Sequence, residues 1–167
     1  MLQSGVQILA VDYRLAPEHP FPVPVNDSYA ALLWLNIRAK QLNVDPARIA
    51  VLGDSARGGL AAGLAIKARD EGLSPPIARQ MLIGSMLDDR STTKKYPAID
   101  PFATWATDDN ITGWQAYLGS PGKVGEDDVS PYAAPSRVRH VENLPPLYLK
   151  YQTLIFSETK TSRTLHV

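Results

Sequence analysis

The stretch Ile49-Ala50-Val51-Leu52-Gly53-Asp54-Ser55-Ala56-Arg57-Gly58-Gly59-Leu60-Ala61-Ala62 constrains this chain more than any other. Four apolar residues, two of them β-branched, read as a short buried strand. Gly53 to Ala56 reads as a tight turn, and the Ala/Leu/Gly-rich run behind it as a helix. A serine at a strand-turn-helix junction has the geometry of a nucleophile elbow. The turn lifts its hydroxyl above the sheet edge, and the helix start offers N–H groups to a developing oxyanion. The elbow signature G-x-S-x-G is broken at its last position, where Arg57 replaces glycine. A bulky cation there either crowds the pocket or turns to solvent.

The flanking chain repeats the strand-helix theme. Val6 to Val11 is apolar and reads as a buried strand of a parallel sheet. Asp12 to Pro24 is a proline-rich loop. Asn26 or Asp27 is placed to cap an amphipathic helix over 28–42. After the strand at 49–52, a helix runs from about 57 to 70 and stops before Gly72. Gln80 to Leu87 reads as a third strand, Ile111 to Leu118 as a helix, and Leu147 to Tyr151 as a fourth strand. This alternation predicts an α/β fold with a mostly parallel sheet, flanking helices and right-handed crossovers. Residues 1–150 form one domain, and 151–167, polar and without periodicity, a divergent C-terminal tail.

Composition narrows the chemistry. The 167 residues are 44% hydrophobic, enough for one domain with a sizeable core. Basic and acidic residues number 17 each, which argues against a nucleic-acid partner. Cysteine is absent and the three histidines lie far apart, so neither a disulfide framework nor a metal site is expected. No apolar run approaches membrane-spanning length, and the N-terminus lacks a leader pattern, so a cytoplasmic location is expected. Gly53 to Gly58 matches the spacing of a phosphate loop, but Gly59-Leu60 replaces its Lys-Ser/Thr.

Five blocks together resemble the hormone-sensitive-lipase-like esterases of the α/β-hydrolase fold. They are Asp12 to Glu18 with His19-Pro20-Phe21-Pro22; Gly53-Asp54-Ser55-Ala56 with Gly58-Gly59; Met86 to Arg90; Thr112-Gly113-Trp114 through Tyr117-Leu118-Gly119; and Ser130 to Pro135 followed by Leu144-Pro145-Pro146. The resemblance covers roughly residues 6 to 149. It implies hydrolysis of a small-molecule ester without a cofactor, through a Ser–Asp–His triad. Ser55 falls on the nucleophile and the Ala56 N–H on an oxyanion-hole donor.

The resemblance also implies what the chain lacks. The family's His-Gly-Gly-Gly-type loop would precede residue 1, and the strand leading into it separates the strands at 6–11 and 49–52. Ile155 stands where the triad acid belongs. The family histidine follows one further helix and strand, whereas His166 lies at the very end. The expectation is a partial α/β-hydrolase fold truncated at both ends, with impaired or absent activity. The alternatives are a non-catalytic small-molecule-binding relative and a fragment without function.

Single residues have plainer readings beside these. Ser55 alone reads as a helix N-cap. Asp54 is too close in sequence to Ser55 to serve as the acid. Asp12, Arg14 and Glu18 read as loop ion pairs. Asp88-Asp89 beside Arg90 reads as an ion pair rather than a metal carboxylate pair. His19 and His140 read as loop residues, and Trp105 and Trp114 as core or cap packing.

Overall fold

A computed structural model describes residues 5–93, 95–152 and 162–166, with Thr93, Gln152 and 162–166 as backbone. The elements run in the order α1 (Val23–Arg38), β1 (Ala50–Asp54), α2 (Ala56–Asp70), β2 (Arg79–Ile83), α3 (Thr107–Leu118), β3 (Leu147–Gln152) and β4 (Ser162–His166), joined by loops and single 3₁₀ turns. The sheet order is β1-β2-β3-β4. The first three strands are parallel, with Gly53 beside Leu82 and Leu82 beside Leu149. β4 is antiparallel to β3, with His166 beside Tyr148.

The core lies on one face of this sheet. Leu82, Leu147, Leu149 and Val51 point from the strands at Ala61 and Ala62 of α2. α2 is buried continuously from Gly58 to Ile66. Its alanines and glycines let it lie close to the sheet and also carry α1, through Leu32, Leu64, Ala65, Ala68, Ile49 and Ile77. A separate cluster of Trp114, Val129, Ala133 and Ala134 seats α3 against the loop at 129–134, with Phe21, Met86 and Tyr117 around it. The opposite face carries Ala50, Leu52 and Asp54 of β1, all exposed.

Several expectations change. The segment 6–11 is not a strand. It lies outside the sheet with Ile8 76% exposed and Val11 38%. An apolar run becomes a buried parallel strand only when neighbours cover both its edges and faces, and here β1 is the outer strand of the sheet. α1 begins five residues earlier than its expected start at 28, because prolines are tolerated in a first turn and Pro24 takes the second helical position. Asp27 therefore does not cap α1. It accepts the backbone N–H and both forked nitrogens of Arg14, at 3.1, 2.9 and 2.8 Å. Arg14 thus pairs across to α1 rather than within its own loop.

β2 is shorter than the apolar run 80–87, because Gly84, at φ +51°, turns the chain out of the sheet. Trp114 is core. Trp105 is half exposed, its ring edge over Gly113. The backbone at 162–166, expected as an irregular tail, pairs as β4.

Two outcomes follow from this packing. Leu82, 2% exposed among small residues, leaves a cavity when truncated, so Leu82→Ala costs about 2–5 kcal/mol in a urea melt. Leu52→Ala, at a site 62% exposed, stays within about 0.5 kcal/mol of wild type. Arg14, through its side chain and then its backbone N–H, holds the Asp27 carboxyl down at about 2. A carboxyl depressed by folding adds stability above its unfolded value of about 3.9 and loses it as the pH falls through the folded value. The stability gap between wild type and Asp27→Asn is therefore full above about pH 4 and closes toward pH 2. A gap that stays constant over that window contradicts the assignment.

Candidate functional site

A single residue separates β1 from α2. Ser55 makes the reversal with φ +54° and ψ −122°, a conformation that side-chain-bearing residues rarely adopt. Holding it there costs on the order of 1–3 kcal/mol. The backbone around it offsets that cost. The Ser55 N–H donates to the Ile83 carbonyl at 2.8 Å, at the end of β2. The Ser55 carbonyl accepts from Gly58 at 3.0 Å, Gly59 at 3.3 Å and Met86 at 3.1 Å. Both polar main-chain groups of the turned residue are therefore occupied.

The side chain is not, among the described residues. Ser55 stands at the N-cap position of α2, but its hydroxyl makes no capping hydrogen bond, and the residue is exposed. The plain N-cap reading thus lacks the bond that defines a cap. In the first turn of α2, the N–H groups of Ala56 and Arg57 have no carbonyl four residues back within the helix. They sit at the positive end of the helix dipole, next to the hydroxyl.

Close backbone packing explains the glycines. A Cβ on Gly53 would collide with the Arg57 carbonyl, one on Gly58 with the Ser85 side chain, and one on Gly59 with the Met86 carbonyl. Close approach therefore falls on Gly53, Gly58 and Gly59, not on residue 57. The Arg57 side chain is exposed, which resolves the broken signature toward solvent.

Beside the elbow, a cleft of about 660 Å³ opens at the carboxyl ends of β2 and β3, between Asp54, Ser85, Leu87, Leu149 and Tyr151. Ligands of open parallel sheets bind in this position. Asp54 lines it and is exposed. Asp88 and Asp89, also singled out in the sequence, turn to arginines, whereas no ion pair is seen for Asp12 or Glu18 among the described residues. Arg90 binds Asp88 through two nitrogens at 2.8 and 2.9 Å and holds its carboxyl below the usual range. Asp89 is fully buried and takes Arg137 Nε at 2.6 Å, Arg137 Nη2 at 2.8 Å and the Gly125 N–H at 2.7 Å. Burial pushes the Asp89 carboxyl up, but these donors outweigh it and the carboxyl lies below its ordinary value.

His19 and His140 are exposed loop residues, and His140 faces Glu142 at 3.9 Å. No histidine among the described side chains hydrogen-bonds to Ser55. Ile155 and the side chain of His166 lie outside the described residues. Sequence reading missed Met86 as the donor to Ser55 and Arg137 as the partner of Asp89. Partners 31 and 48 positions away carry no local spacing signal.

A family model described as alpha/beta hydrolase fold matches residues 2–154. Esterase LipI of Mycobacterium tuberculosis is 38% identical over 148 residues, which is 85% of this chain and 43% of LipI. Carboxylesterase NlhH of the same species is 53% identical over 75 residues, 45% of this chain and 23% of NlhH. Among solved structures, a bacterial heroin esterase superposes with TM-score 0.71 at 49% identity, over 82% of this chain and 43% of that one. An esterase of Pyrobaculum calidifontis superposes with TM-score 0.70 at 36% identity, over 83% and 44%. The chain spans less than half the length of these relatives.

Glycine adopts the φ and ψ of Ser55 without strain. Ser55→Gly is therefore expected to raise unfolding stability by about 1 kcal/mol in denaturant melts, whereas Ser55→Ala leaves the strain in place and changes it little. Equal effects of the two substitutions would show that the turn is not strained.

Proposed function

The chain belongs to the alpha/beta hydrolase fold family, in its hormone-sensitive-lipase-like branch, and from that membership we propose that it carries the nucleophile half of a carboxylic ester hydrolase site. Ser55 is the nucleophile and the Ala56 N–H an oxyanion donor. The observation that carries this reading is the strained, exposed Ser55, with both main-chain groups bonded and its hydroxyl left out of the helix cap.

In the reaction, the Ser55 oxygen attacks the ester carbonyl carbon while a base takes its proton. The carbonyl oxygen becomes an oxyanion that the Ala56 N–H stabilises at the helix start. Collapse expels the alcohol and leaves an acyl-serine, which water then hydrolyses. The relatives' names, esterase and carboxylesterase, support this substrate class. The hydrolase-like unit is residues 1–150.

The chain by itself turns over slowly or not at all. What supports this is that no imidazole among the described residues reaches the Ser55 hydroxyl, and without a base the serine stays protonated at neutral pH. The oxyanion donors and the exposed hydroxyl still favour attack on a strongly electrophilic phosphorus.

The purified chain is therefore expected to take up an aryl fluorophosphonate slowly and selectively at Ser55, seen by peptide mapping, with no adduct in Ser55→Ala. It should hydrolyse a short-chain p-nitrophenyl ester no faster than Ser55→Ala. Labelling spread evenly over other serines contradicts the nucleophile. Fast turnover that depends on Ser55 contradicts the impairment.

A further inference from the structure

The loop that leaves β2 does more than connect it to α3. Its first residues lie across the start of α2. The Met86 N–H donates to the Ser55 carbonyl at 3.1 Å, and Ser85 and Met86 fill the space that glycines leave at positions 58 and 59. The Leu87 carbonyl accepts the Ser136 N–H at 3.0 Å and the Ser136 hydroxyl at 2.9 Å. Two residues on, Asp89 is fully buried and bound by three donors, two from Arg137 and one from Gly125. Arg137 is itself nearly buried, with 9% of its side chain exposed.

A straight chain of contacts thus joins an ion pair to the elbow. Only two residues, Leu87 and Asp88, lie between Met86 and Asp89, and Met86, Leu87 and Asp89 each bond another part of the chain, Ser55 at one end and residues 125–137 at the other. A loop fixed at both ends over so short a span has little freedom to move. Breaking a buried, forked carboxylate–guanidinium pair strands a charge, so this anchor resists opening.

We propose that Asp89 and Arg137 are positioning residues for the nucleophile elbow. They hold the 85–89 loop so that Met86 and the two glycine contacts keep Ser55 in its strained conformation. The pair touches no reacting atom and acts through Met86. The proposal rests on the reading of Ser55 as nucleophile for its functional meaning, but its physical content is the coupling between the pair and the turn.

The test is site-resolved amide hydrogen exchange on the full chain, in wild type, Asp89→Asn and Arg137→Lys. Asp89→Asn is expected to speed exchange at the Ser55 and Met86 amides by roughly tenfold or more, with the Leu82 and Leu64 amides of β2 and α2 unchanged. Arg137→Lys keeps the charge but loses the fork, and falls between the two. If Asp89→Asn does not fold cooperatively, Arg137→Lys decides. Uniform acceleration at all four amides overturns the proposal, because the pair then supports the fold as a whole. Acceleration confined to Gly125 also overturns it, because the pair then holds only its own loop. Fluorophosphonate labelling of the same proteins separates the two readings. Labelling of Ser55 that slows in step with the Met86 amide supports both. Coupling at Met86 with no labelling even in wild type supports the positioning role and refutes the nucleophile. Labelling without the coupling does the reverse.

Discussion

Close approach of main chain to main chain around the start of α2 governs how the site is built. Gly53 of β1 lies against the Arg57 carbonyl, Gly59 against the Met86 carbonyl, and Gly63 against the Tyr132 carbonyl. A methyl group at any of the three would force two backbones apart. The closeness lets the end of β1 turn into the helix through one residue. It also brings the loop after β2 near enough for Met86 to bond Ser55. Four hydrogen bonds to the backbone groups of Ser55 offset the strain of its conformation.

What was legible in the sequence follows the range of the interactions that set it. β1, α2 and β2 were legible because their signals are local: an apolar run, a turn with glycine, a small-residue helix. Ser55 and Ala56 belong to the same local unit, so the elbow could be placed from fourteen residues of sequence. The segment 6–11 has the same apolar character as β1 but does not join the sheet. Composition records that a run can be buried, not that a neighbour is there to bury it. The start of α1 depends in the same way on a distant partner. Asp27 has the chemistry of a cap, and its use was decided by Arg14, thirteen residues earlier. Arg137 was invisible as the partner of Asp89 because no periodicity spans their separation.

An ion pair removed from water gains nothing over an apolar packing unless its remaining hydrogen-bonding capacity is satisfied. Asp89 meets that condition with three donors. The forked geometry also fixes direction as well as distance, which an apolar contact would not. That is a reason to find such a pair at the anchor of a loop whose other end must be placed to within a hydrogen bond. Contrast Arg14–Asp27, which is similarly forked but open to water. Screening leaves it little energy, and it ties the loop at 12–24 to α1.

The division of labour within the site has a physical basis too. A nucleophile and its first oxyanion donor are set by one turn and the helix behind it, so they travel together in a short stretch of chain. A base must reach the serine oxygen from another element, and its orienting carboxylate from a third. Among the described residues, no histidine side chain hydrogen-bonds to Ser55. Arg57 fits the same division. At the elbow's last position a side chain matters only if something packs over the helix start on that side, and among the described residues its side chain is exposed. Gly53, Gly58 and Gly59, by contrast, each meet backbone or side-chain atoms that a Cβ would strike.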